Sequence, residues 1–181
     1  YNAMFSPLIP NTFASCSADG YLKIWNLFNK DKPIANLKSH DGEVLTCDWC
    51  KVDQNILATG SSDGLIRGYD IRYFGCPIFE LKGCDYAVRK IQFSPHTSTL
   101  ASVGFDNHTR YFSKIQIIFK IYLIFNFRIW DFNRNNEPLE SIKHHTDVAY
   151  GIDWNRLRRN QLADCGWDSL VHVFSPSCQE S

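Results

Sequence analysis

No charge of one sign is in excess in this 181-residue chain: Lys plus Arg and Asp plus Glu each number 19, so the formal net charge is zero. Without an overall basic field there is no sequence-independent hold on nucleic acid or on an anionic membrane, and partner recognition has to be local. Long hydrophobic runs are equally scarce. The longest, Ile115 to Phe127, is broken by Lys120 and Asn126 and falls short of the ~20 residues that span a bilayer, so no membrane insertion is expected. The seven cysteines are odd in number and scattered, and no charged and apolar leader with a small-residue cleavage site opens the sequence. Both features argue against a secreted disulfide framework and for reduced thiols in the cytosol. Apolar stripes at helical spacing are missing, so strands rather than helices are expected to build the core. With 44% apolar and 21% charged residues, the chain has the composition of a globular domain and not of a disordered one.

What is present is a repeat. Tight-turn aspartates stand at Asp19, Asp63, Asp106 and Asp168, at intervals of 44, 43 and 62 residues, and aromatic residues stand at Phe5, Trp49, Phe93 and Trp154, at intervals of 44, 44 and 61. The excess in the third repeat is accounted for by the 18 residues Tyr111 to Arg128, whose removal joins Arg110 to Ile129 and places Trp130 six residues after Asp106, as Trp25 follows Asp19 and Tyr69 follows Asp63. Tyr, Phe, Ile, Lys and Asn make up most of this segment, and their codons are AT-rich. It resembles a translated intron, with a GTAT donor readable at Arg110-Tyr111 and a TTTAG acceptor at Phe127-Arg128. The rival reading is a genuine loop insertion, which would push a β-rich, nearly uncharged segment out of a strand and splay or abolish that strand. A transcript running directly from Arg110 to Ile129 would decide for the intron.

Within the second repeat, strands are expected over Val44 to Trp49, Asn55 to Gly60, Leu65 to Asp70 and Pro77 to Leu81, with Ala18-Asp19-Gly20 and Ser62-Asp63-Gly64 as hairpin turns. Four-stranded units of this period, with Ile24-Trp25-Asn26, Gly68-Tyr69-Asp70 and Ile129-Trp130-Asp131 closing the third strand, resemble the WD-repeat β-propellers. The fourth repeat departs from the pattern with Val173-Phe174-Ser175, and Ser39-His40, Gly83-Cys84 and His144-His145 are imperfect copies of the family's Gly-His. The resemblance implies an all-β fold of about four blades, part of a longer ring. The repeats cover about 1–38, 39–83, 84–143 and 144–176. The chain is expected to be the C-terminal part of a longer protein, and as an open arc it would be poorly soluble and inactive alone.

The resemblance also implies a buried hydrogen-bonded network in each blade. It assigns Ser15, Asp19 and Trp25 to the first, His40, Thr59, Asp63 and Tyr69 to the second, Ser102, Asp106 and Trp130 to the third, and His145, Asp164 and Asp168 to the fourth. Cys84 cannot supply an imidazole, and Asp164 beside Asp168 crowds two carboxylates together, so blades three and four are expected to be less rigid. Catalysis is not expected, because the Asp, His and Ser sets recur at the repeat period and a single active site would not. No metal or cofactor is expected either. Cys47 and Cys50 lie along one strand with their side chains on opposite faces, and His144 reads as an ordinary loop residue. The run Arg156 to Arg159 is too small a charge to hold nucleic acid.

Register places Tyr1, Glu43, Leu45, Arg89, Phe105, Tyr150 and Trp167 at one end of the blades, a mixture that suits an amphipathic peptide helix with a basic edge. Several stretches resemble more closely the family of receptors for the type 2 peroxisomal targeting signal, the seventh peroxins: Leu45 to Lys51, Pro77 to Leu81, Val88 to Pro95, His144 to Thr146 and, most specifically, Leu162 to Asp168. That resemblance implies a cytosolic receptor that shuttles to the peroxisome. Its partners would be cargo proteins bearing the N-terminal type 2 signal, an import co-receptor and peroxisomal docking proteins. Two alternatives remain open: Tyr69-Asp70-Ile71-Arg72 resembles the box by which substrate receptors join cullin ubiquitin ligases, and a general interaction scaffold would carry the same repeats.

Overall fold

The structure is a computed structural model and describes residues 1–29, 31–73, 75–107, 123–131 and 137–177. Every named element among these is a strand, and the strands form four antiparallel sheets in sequence order. Blade one is β1 (Asn2–Phe5), β2 (Thr12–Cys16), β3 (Tyr21–Asn26) and β4 (Ala35–Lys38). Blade two is β5 (Val44–Trp49), β6 (Ile56–Ser61), β7 (Leu65–Asp70) and β8 (Phe79–Lys82). Blade three is β9 (Val88–Phe93), β10 (Thr99–Asn107), β11 (Leu123–Asp131) and β12 (Glu140–Ile142). Blade four has three strands among the described residues, β13 (Ala149–Trp154), β14 (Leu162–Gly166) and β15 (Val171–Phe174), where a four-stranded unit is expected from the repeat. The four sheets form an unclosed, incomplete propeller.

The hairpins turn where the Asp-Gly pairs stand. Gly20 and Gly64 adopt φ of 81° and 82°, and a Cβ at either would lie 2.6 Å from the carbonyl oxygen of His40 or Cys84. Those close approaches tie each turn to the segment entering the next blade: the Gly20 carbonyl accepts the Ser39 and His40 amides, and the Gly64 carbonyl accepts the Cys84 amide. Blade four has Ser169 in the corresponding turn, at φ 65°.

Both faces of a middle blade are apolar because each is a seam. Between blades one and two lie Ala14, Cys16, Leu22, Ile24, Cys47, Trp49, Leu57 and Tyr69. Cys50, Ala58, Ile66 and Leu81 of blade two meet Ile91, Phe93, Leu100 and Trp130 of blade three. Ala101, Val103 and Ile129 meet Ile152, Trp154 and Leu162 of blade four. Cys47 and Cys50 face different seams, as the strand alternation requires.

Each seam also carries hydrogen bonds beside the repeated aromatic residue. Trp49 Nε1 donates to the Met4 carbonyl at 3.1 Å, and Trp154 Nε1 donates to the Gln92 carbonyl at 3.1 Å. Phe93 has no such donor, but its amide donates to Asp48 Oδ2 at 2.7 Å, and the Trp154 amide likewise donates to Gln92 Oε1.

Blade three differs from the expectation of a splayed or missing third strand. β11 forms and pairs with β10 from Thr99↔Asp131 to Asn107↔Leu123, so the strand begins inside the segment that interrupts the repeat. The tight turn expected at Asp106 is replaced by continued strand, since β10 runs through that position to Asn107. Arg128 reaches the Gly83 carbonyl at 2.6 Å, as Arg67 of blade two reaches the Ser39 carbonyl at 2.7 Å. The interruption is flanked by arginine at 110 and at 128, so either side offers the blade the same side chain.

Candidate binding surface

Of the residues assigned to the blade networks, His40, Thr59, Tyr69, Ser102, Trp130 and Asp164 are buried, whereas Asp19 and Asp63 are exposed. His40 is buried; its Nδ1 lies 2.9 Å from Asp63 Oδ2, its Nε2 lies 2.8 Å from Thr59 Oγ1, and the Tyr69 hydroxyl donates to the Ser39 carbonyl at 2.9 Å. Blade three has Cys84 at the histidine's place, and its strand-three tryptophan bonds the strand-two serine, Trp130 Nε1 donating to Ser102 Oγ at 2.9 Å, as Trp25 Nε1 donates to Ser15 Oγ at 2.8 Å in blade one. Asp19 instead accepts from the Tyr21 amide and pairs with Lys23. The Asp106 side chain lies outside the described residues.

Blade four holds more than the sequence pattern indicated. His145 sits between Asp168, 2.9 Å from Nδ1, and Asp164, 3.1 Å from Nε2. His144 is not an ordinary loop residue: its Nε2 is 2.5 Å from Asp164 Oδ2. The second carboxylate therefore has its own imidazole, and the crowding expected from Asp164 and Asp168 is met by two histidines. His172 packs against both, a participant the sequence reading missed because no repeat position has a histidine there.

Two predictions follow from these groups. Asp63→Ala strands His40 Nδ1 in a buried site, and is expected to cost about 1–3 kcal/mol and lower the melting temperature; an unchanged melting curve would remove the network from the stability of the blade. Burial pushes the Asp168 carboxyl up, but the Thr146 amide, the His145 ring and the Leu170 amide outweigh it and hold it at about 2. A carboxyl depressed on folding contributes stability that is complete above its unfolded value and is lost as pH falls through the folded one. Urea denaturation between pH 5 and pH 2 is expected to show that loss, with a shallower slope in Asp168→Asn.

The seven residues assigned to one end of the blades separate into two groups and two outliers. Arg89 and Tyr150 are joined across blades three and four, the guanidinium lying 4.5 Å from the ring centre and donating to the hydroxyl. Tyr150 stacks on Trp167 at 6.2 Å and 19°, and both rings are largely solvent-facing. Across blades one and two the Tyr1 hydroxyl donates to Glu43 Oε2 at 2.8 Å, and that bond, with the carboxylate charge, raises the phenol pKa. Phe105 instead packs against the seam of blades three and four, and Leu45 is half-buried. Tyr86 is half exposed in the segment leading to β9, with its amide on the Phe105 carbonyl. The surface is thus an aromatic and cationic ladder beside the Tyr1–Glu43 pair. Arg72, the arginine of the box that resembles a ligase-docking motif, is forked onto Asp70 at 2.6 and 2.9 Å.

The WD domain, G-beta repeat (WD40) pattern matches residues 9–26, 31–70 and 75–113. The chain belongs to the WD40 family. The WD40 fold is a scaffold consistent with a non-catalytic protein–protein interaction module. Among curated WD40 relatives, the Peroxisomal targeting signal 2 receptor of Mus musculus is 37% identical over 103 residues, covering 56% of this chain and 27% of the receptor. That of Saccharomyces cerevisiae is 26% identical over 214 residues, covering 97% of this chain and 52% of the receptor. The GATOR2 complex protein WDR24 of Gallus gallus is 24% identical over 174 residues, covering 93% of this chain and 22% of that protein. The chain thus spans from about a quarter to about half of the lengths of these relatives. Among the described residues no helix is long and apolar enough to cross a membrane.

Proposed function

We propose that this WD40 chain forms part of a receptor for the type 2 peroxisomal targeting signal. It takes the signal helix on the end of the propeller that carries Arg89, Tyr150 and Trp167, and delivers the cargo from the cytosol to the peroxisome with an import co-receptor and docking proteins. The observation that carries this reading is the Arg89–Tyr150–Trp167 ladder, with Glu43 at the same end as counter-charge to a basic helix edge. The likeness to the mouse and yeast receptors supports it. An exposed stacked pair offers apolar area with little side-chain entropy left to lose, and hot spots of this type concentrate binding energy in a few aromatic and arginine side chains.

The test is a titration of the full-length open reading frame with a fluorescent signal helix in the presence of co-receptor, with and without Tyr111 to Arg128. Binding is expected, and Trp167→Ala is expected to weaken it at least about tenfold, equivalent to more than 1 kcal/mol. Failure of both folded forms to bind, or binding indifferent to Trp167→Ala and Glu43→Lys, would return the chain to a general interaction scaffold. Binding restricted to the shortened form would also identify the segment as an intron.

A further inference from the structure

Blade four departs from blade two at four linked positions. The strand registers put Asp164 where blade two has Thr59, His172 where it has Arg67 and Phe174 where it has Tyr69, while His144 takes the place of Ser39. Two hydroxyls, a guanidinium and a phenol are lost together, and two imidazoles and a carboxylate appear. The ring of His172 lies 4.2 Å from that of His144 and 4.7 Å from that of His145, and one nitrogen from each of the three rings lies within 4.8 Å of the others. His172 Nε2 is buried and has no hydrogen-bond partner.

We propose that blade four binds a transition-metal ion of the imidazole-preferring class, Zn²⁺ foremost, through His144, His145 and His172, with Asp164 beside them as a fourth ligand or as the carboxylate that orients the rings. Nitrogen donors of this kind select zinc and its neighbours over calcium or magnesium, which take oxygen. His144 has the arrangement that metal-bound histidines require, one ring nitrogen held by a carboxylate and the other left for the ion. His144 gives Nε2 to Asp164, which leaves Nδ1; His145 is held at Nδ1 by Asp168, which leaves Nε2 to exchange Asp164 for the metal. Tetrahedral zinc with bonds of about 2.0–2.1 Å draws its donors to roughly 3.4 Å of one another, so the rings close by about an ångström on binding. The partial exposure of the His144 side chain provides the way in.

The probe is Co²⁺ added to the folded full-length protein, followed by Zn²⁺. One equivalent of Co²⁺ is expected to give the visible bands of a four-coordinate ion, one equivalent of Zn²⁺ to remove them, and Zn²⁺ to raise the melting temperature in a way that EDTA reverses. His172→Phe removes the unpartnered nitrogen and keeps a ring in its place; it is expected to weaken Zn²⁺ binding at least about tenfold. His96→Phe serves as the control, since His96 Nε2 is the other buried imidazole nitrogen without a partner and lies between β9 and β10, outside the cluster. A wild-type chain that shows neither the bands nor the thermal shift overturns the proposal regardless of how any variant folds, and so does a His172→Phe chain that binds as tightly as wild type.

Discussion

Replacing Trp49 by alanine is expected to destabilise the chain by about 3–5 kcal/mol, the range for deleting a large aromatic side chain from a packed interior. Trp49 is fully buried in the seam between the first two blades, among Leu22, Ile24, Leu57 and Tyr69, and its indole nitrogen reaches the Met4 carbonyl of the neighbouring blade. Truncation therefore removes apolar contact on both sides of a seam and the indole hydrogen bond that crosses it. Trp49→Phe keeps most of the volume and loses only the indole bond, so its cost is expected to be well under half as large. Denaturant titration of the two variants separates packing from hydrogen bonding; equal losses would mean that the indole bond dominates.

A second large effect is expected one residue earlier. Asp48 has a wholly buried carboxylate that holds Lys51 Nζ at 2.6 Å on one oxygen and the Phe93 amide of the next blade at 2.7 Å on the other. Asp48→Ala removes the carboxylate acceptor of that amide and the counter-charge of Lys51. Breaking a buried pair costs about 3–5 kcal/mol, and the lower end applies here because Lys51 keeps the Trp49 carbonyl and some access to water. Burial pushes the Asp48 carboxyl above its ordinary value, against the pull of Lys51 and of the Phe93 amide. A carboxyl raised on folding favours the folded state below its unfolded value, and that contribution is lost as pH rises through the folded one. Asp48→Asn keeps an oxygen for Phe93, so it is expected to be milder than alanine and to remove this part of the pH dependence. An asparagine variant as damaged as the alanine one would place the effect in the ion pair alone.

The architecture was legible in the sequence because its punctuation is stereochemical. Asp-Gly turns permit positive φ, strand alternation sorts Cys47 and Cys50 to different seams, and the spacing recurs often enough for an interruption to stand out. The seam contacts at Asp48 and Gln92 were not legible, because the acceptor before each aromatic residue is a carboxylate in one blade and an amide in another, and no residue type repeats. Blade three was misjudged for a different reason. An interruption was expected to destroy a strand, yet a segment of high β-propensity ending in arginine can supply the strand itself. At the candidate surface, register placed Arg89, Tyr150 and Trp167 at one end, but only the fold shows that they touch, because Arg89 and Tyr150 are 61 residues apart. Phe105 was offered as an anchor and packs inward, since alternation fixes which way a side chain leaves a strand only while the strand stays regular, and β9 and β10 are bulged nearby.

At the repeated aromatic residues the later blade donates and the earlier blade accepts, while Gln92 Nε2 donates forward to Asp153 Oδ1. The two outer faces of the described blades are unlike. One presents a hollow lined by Phe13, Ser15, Trp25 and Leu27, and the other presents Val171 and Val173 on the last described strand.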